Sequence, residues 1–176
     1  MRLAVISDIH GNLPALEAVV ADIATRGADR VVDLGDCVSG PLWPRETRER
    51  LGELGFATVR GNHDRIIGAM PRETMWSPDA YALDEIGPEG CKGLAALPQR
   101  LTLPGGVLAC HGTPGDDLVY LLEDVVEGRL SLSPREEIER RLGPVDARVV
   151  LCGHSHQPRI VRGPRDILIV NPGTVG

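Results

Sequence analysis

The chain has 176 residues, 42% of them hydrophobic and 25% charged, which suits one well-cored domain rather than two domains or a disordered chain. With 19 basic and 25 acidic residues the net charge is −6, which argues against a general nucleic-acid coat, since such a protein presents a basic face. Trp43, Phe56, Trp76, Tyr81 and Tyr120 are too few for a single-strand stacking platform, and no apolar run approaches the roughly 20 residues of a membrane span. The carboxylate of Asp8 comes too early for a secretory leader, so the expected location is the cytoplasm. Cys37, Cys91, Cys110 and Cys152 have no C-x-x-C pairing and are expected to stay reduced.

Arg2–Ile6 reads as a buried strand, followed by a helix from Leu13 to Arg26. That helix carries Leu16, Val19, Val20 and Ile23 at helical spacing, Asn12 as N-cap, Pro14 in the first turn and Gly27 after the end. A strand over Arg30–Leu34, a helix over Pro44–Leu54 and a short strand over Ala57–Arg60 complete a βαβ start with a parallel sheet. Residues 65–99 look mostly helical, broken by Pro71, Pro78 and Pro88. Arg100–Leu103 and Val107–Cys110 form a hairpin pattern around Pro104-Gly105-Gly106. Residues 114–132 read as a loop-rich stretch. Ser133 and Glu136 have the spacing of a capping box for one more helix. Strands over Arg148–Cys152, Arg159–Arg162 and Asp166–Val170 end the chain. One α/β domain spanning residues 1–176 is expected, with two sheets.

Metal-capable side chains collect where strands stop: Asp8-Ile9-His10, Gly35-Asp36, Gly61-Asn62-His63-Asp64, Cys110-His111-Gly112 and Gly153-His154-Ser155-His156. All 5 histidines fall in these segments. Open α/β sheets place ligands at the carboxyl ends of their strands. Asp-x-His and His-x-His would each aim two side chains to one side of an extended segment. Carboxylate, imidazole and amide donors together suit borderline divalent ions such as manganese, iron, zinc or nickel.

Five blocks in this order resemble the calcineurin-like metallophosphoesterase superfamily, and Asn171-Pro172-Gly173-Thr174 is similar to the Asn-Pro-Gly-Ser segment of its small bacterial and archaeal phosphodiesterase-like members. The resemblance implies a four-layer αββα sandwich with mixed sheets. It implies two divalent ions, manganese first, with one held by Asp8, His10, Asp36 and His156. The other would be held by Asp36, Asn62, His111 and His154, with Asp36 as the bridge. A hydroxide between ions about 3.5–4 Å apart would be the nucleophile. His63 would be the catalytic non-ligand that contacts phosphoryl oxygens or protonates the leaving oxygen. Asp64 would either orient His63 or cap the next helix, and Arg60 and Arg65, flanking the motif, could meet a phosphate.

Phosphoprotein phosphatases of the superfamily extend the second block to Asp-Arg-Gly, whose acid supports the motif histidine; here the block reads Gly35-Asp36-Cys37-Val38-Ser39-Gly40-Pro41, without that acid or arginine. Relatives also carry further strands after Asn-Pro-Gly, so the chain is expected to lack C-terminal strands and Asp166–Val170 to keep one unpaired edge. The expected activity is a metal-dependent phosphoesterase acting on a small phosphodiester or nucleotide. A non-catalytic scaffold of the same fold and a nuclease are the alternatives. The expected partner is a small phosphorylated substrate, neither membrane nor nucleic acid, with a homo-oligomer left open.

Overall fold

The computed structural model describes residues 1–176. Strands β1 (Leu3–Ile6), β2 (Arg30–Asp33) and β3 (Ala57–Thr58) pair in parallel, joined by helices α1 (Leu13–Arg26) and α2 (Pro44–Leu54). α1 begins where its cap predicts: Asn12 Oδ1 accepts the Ala15 N–H at 3.2 Å. β3 stops short of Arg60, whose N–H leaves the sheet for Pro98 O. Residues 62–95 form α3 (Asn62–Ala69) and α4 (Ser77–Ala95), the latter interrupted at Gly87 (φ 63°) just before Pro88.

β4 (Arg100–Leu103) and β5 (Val107–Cys110) are the expected hairpin. A second hairpin, β6 (Glu123–Val126) and β7 (Arg129–Leu132), occupies part of the stretch expected to be loop. Its two turn residues, Glu127 and Gly128, both have positive φ (51° and 75°), the backbone of a tight primed turn. Glutamate in place of asparagine or aspartate hides that turn in the sequence. α5 (Arg135–Leu142) is not opened by a capping box: Ser133 Oγ accepts from Arg141 Nη1 at 2.9 Å instead.

β8 (Val149–Leu151), β9 (Arg159–Arg162) and β10 (Leu168–Asn171) complete a five-stranded mixed sheet in the order β4-β5-β8-β10-β9. β10 therefore has neighbours on both sides, Ile169 lying opposite Val150 of β8 and Val161 of β9. The expected open edge on this strand is absent because the Gly163-Pro164 turn folds β9 onto it.

The two sheets pack face to face through Val32, Leu34 and Val59 on one side and Leu103, Val107, Ala109 and Leu151 on the other. Alternate residues of the same strands, Leu108, Cys110, Val150 and Cys152, point the other way, toward Ile138 and Leu142 of α5. Leu16 of α1 covers the outer face of the first sheet with Ile6 and Ile9. The result is helices, sheet, sheet, helix, the four layers expected, with the carboxyl ends of β1, β2, β5 and β8 opening on one edge. The four cysteines are free. No helix is long and apolar enough to cross a membrane.

Candidate metal centre

Asp8, His10 and His156 converge beyond β1 and β8. His10 Nε2 lies 3.2 Å from His156 Nε2, and Asp8 Oδ1 lies 3.3 Å from His156 Nε2. His10 Nδ1 contacts Ser39 O at 2.8 Å, a contact only a ring N–H can make, so a neutral His10 presents a lone pair on Nε2. Asp8 Oδ2 accepts from Ser7 Oγ at 2.5 Å and from His154 N at 3.1 Å. Its Oδ1, buried and facing the two imidazoles, has no hydrogen-bond partner.

Asp36, His111 and His154 form the second group, and Asn62 joins it. His111 Nδ1 donates to Leu34 O at 2.8 Å, which aims Nε2 at Asp36 Oδ2 (3.2 Å) and Asn62 Oδ1 (3.0 Å). The His154 ring stands 4.9 Å from that of His111, with its Nε2 on Leu118 O. Acceptor atoms that face one another across about 3 Å repel unless positive charge lies among them. Burial opposes charge on His111, yet the Asp36 carboxylate beside it pushes its pKa up to about 10. The cluster therefore attracts positive charge strongly. With the orphaned Asp8 oxygen and a mixed donor set, both groups fit a borderline divalent cation.

The expected way of aiming each pair is corrected by the backbone. Asp8 and His10, and likewise His154 and His156, do not sit on extended strand; all four, with Asp36, have φ between 49° and 67°. Left-handed turns at non-glycine residues are uncommon and persist where surroundings impose them. Gly61 and Gly153 let the loops close, because a Cβ on Gly61 would fall 2.1 Å from Asp36 Oδ1 and one on Gly153 2.0 Å from Ser7 Oγ. The Asn-Pro-Gly-Thr segment holds the same loops. Asn171 Nδ2 donates to Gly153 O and Ser155 Oγ, and Thr174 Oγ1 donates to Asp8 O.

His63 belongs to neither group; its ring lies 5.7 Å from that of His10. Its support is an acid that sequence reasoning missed. Asp79, buried in the first turn of α4, accepts from His63 Nδ1 at 2.8 Å and from Ser39 Oγ at 2.6 Å. The acid absent from the second sequence block thus arrives from another element. Burial works against a charge on His63, but the Asp79 bond and the Asp36 carboxylate outweigh it and raise its pKa. Asp64 does not touch His63. Its carboxylate accepts from the backbone N–H groups of Gly61, Asp36 and Cys37, capping α3 and tying it to the Asp36 turn. Arg65 is paired with Asp117 in two bonds of 2.7 and 2.8 Å through Nε and Nη2. Arg60 turns toward Ala95 O, away from both groups.

The family model for the calcineurin-like phosphoesterase superfamily domain matches residues 1–176. The chain belongs to that superfamily. An uncharacterized protein of Methanocaldococcus jannaschii, MJ0912, is 29% identical over 200 residues, covering 99% of this chain and 76% of its own. Phosphodiesterase YfcE of Escherichia coli is 40% identical over 80 residues, covering 40% of this chain and 44% of its own. Among solved structures, a metallophosphoesterase from Sphaerobacter thermophilus superposes with a TM-score of 0.75 at 26% identity, over 100% of this chain and 77% of that one. As a calcineurin-like phosphoesterase the chain is a member of a metal-dependent hydrolase family, and its seven clustered side chains are the groups available for metal binding.

Proposed function

We propose that this calcineurin-like phosphoesterase hydrolyses a small phosphodiester or nucleotide in a reaction dependent on two divalent ions. One observation carries the reading: two groups of convergent carboxylate and imidazole side chains, each with a buried aspartate, stand beside one imidazole, His63, that belongs to neither and is backed by a buried acid. Asp8, His10 and His156 would hold one ion, and Asn62, His111 and His154 the other, with Asp36 shared. Manganese is the first ion to test, followed by iron, zinc and nickel. Bound divalent ions supply charge stabilisation at a phosphoryl group and lower the pKa of water.

The protein's own residues do the rest. His63 offers Nε2 to the phosphoryl or leaving oxygen, while Asp79 holds the Nδ1–H and keeps the ring in one orientation. Asp64 and Asn171 fix the turns that carry the acids and imidazoles. The net charge of −6 supports a small substrate over a nucleic-acid polymer, and the full set of candidate ligands supports an enzyme over a scaffold. The test is hydrolysis of bis(p-nitrophenyl) phosphate by chelator-stripped protein before and after each metal, with bound metal counted by mass spectrometry. Turnover that appears only on reloading is expected; no turnover with any of the four metals overturns the reading.

A further inference from the structure

On the His63 side of the metal centre a cavity of about 390 Å³ opens between the Gly40-Pro41-Leu42 loop and Trp76 with Pro78. Its inner end is formed by His10, His63 and His156. Trp76 is 68% exposed, and its ring lies 6.4 Å from that of His63 at an interplanar angle of 31°. Leu42 on the facing loop is 42% exposed. Away from those imidazoles the side chains of the lining offer little polarity. Ser39 has given its hydroxyl to Asp79, Pro41 and Pro78 have no N–H, and no Lys, Arg, Asp or Glu lines the cavity. Beyond the three imidazoles of the inner end, a second phosphate or a bare sugar would find no lysine, arginine or carboxylate side chain to hold it. A flat apolar ring would find an open indole face.

We propose that this cavity is the subsite for a planar aromatic group carried by the phosphoester, with a nucleobase stacked on Trp76 as the fitting chemical class. The inference rests on the phosphoesterase reading above. The size lies at the small end of ligand sites, about 300–1,000 Å³. Its place beside His63 sets it where a group attached to the reacting phosphorus would project. Stacking accepts every base, since each has a π face, so purine and pyrimidine should both be held without hydrogen-bond selection.

The test uses the manganese-loaded chain hydrolysing bis(p-nitrophenyl) phosphate, with AMP, UMP and ribose 5-phosphate as competitive inhibitors. Wild type is expected to bind both nucleotides about 5-fold or more tightly than ribose 5-phosphate, within the range of base–aromatic stacking. Trp76→Ala should bring that ratio within about 2-fold of unity, and Trp76→Phe should keep most of it. Trp76 is exposed, so folding is not at stake, and an unchanged melting temperature verifies this. Equal inhibition by AMP and ribose 5-phosphate in wild type, or a ratio untouched by Trp76→Ala, overturns the subsite. If no metal gives hydrolysis, the phosphoesterase reading fails separately. Quenching, by AMP but not by ribose 5-phosphate, of the emission that Trp76 adds over Trp76→Phe then still decides the subsite, and equal quenching by both or by neither overturns it.

Discussion

His63 Nδ1 and Asp79 Oδ1 lie 2.8 Å apart although 16 residues and a change of helix separate them. The pair has a chemical consequence. Asp79→Asn keeps the side chain's shape but removes its charge, and with it a cause of the raised His63 pKa. A proton donor with a lowered pKa loses its proton earlier as pH rises. The basic limb of the kcat profile should therefore move to lower pH in Asp79→Asn. At pH 8 turnover should fall about 10-fold or more for a substrate with a poor leaving group and less for p-nitrophenolate esters. An unmoved limb with equal losses for both substrates would make Asp79 merely structural.

Removal of the imidazole itself should not empty the site. His63→Ala is expected to retain the wild-type metal content and to lose ~10²–10⁴-fold in turnover, the range of a general acid. The loss should shrink as the leaving group improves. Metal analysis and a series of substituted phenyl esters measure both parts.

Asp36 is the carboxylate that both proposed ions would share, and His156 serves only one group. Asp36→Asn should bind less than one equivalent of metal and have no measurable turnover. His156→Ala, altering a half-exposed side chain, should keep about one equivalent, consistent with independent loss of a single ligand set. Two equivalents in Asp36→Asn would show that it is not shared.

Stability should depend on a carboxyl outside the site. Burial pushes the Asp33 pKa up to about 8, against the opposing Gly35 N–H bond at 3.1 Å. An unfolded aspartate ionises near ~3.9. Between those values the unfolded chain releases a proton that the folded chain retains, so stability falls as pH rises through this window. Asp33→Asn, which mimics the neutral acid, should melt close to wild type only at or below the unfolded-state pKa of ~3.9, with a gap in its favour that widens as pH rises to about 8. Thermal unfolding with excess chelator isolates the effect; a gap independent of pH would refute it.

Strand ends were readable because periodicity changes where chemistry begins: apolar Leu3–Ile6 gives way to Asp8, and Val149–Leu151 to His154. Every residue expected to hold metal is at one edge of the two sheets. Asp79 was hidden because Trp76-Ser77-Pro78-Asp79 looks like any helix start, where an acid in the first turn is favoured by the helix dipole alone. The pairing of Arg65 was equally hidden, because its partner Asp117 is 52 residues away. The left-handed turns at Asp8 and His154 could not be read, since nothing in those residue types demands positive φ.

Asp8 and His154 join residues 146 apart in the chain, and that distance bears on how the molecule folds. Neither candidate group can close through local contacts, so both belong to the late, high-contact-order part of folding. During synthesis at about 5–20 residues per second, the N-terminal βαβ unit would wait on the order of ten seconds for its last imidazoles. Contacts formed after the transition state govern the rate of unfolding more than that of folding. Metal loading should accordingly lengthen the lifetime of the native state while leaving the refolding rate nearly unchanged.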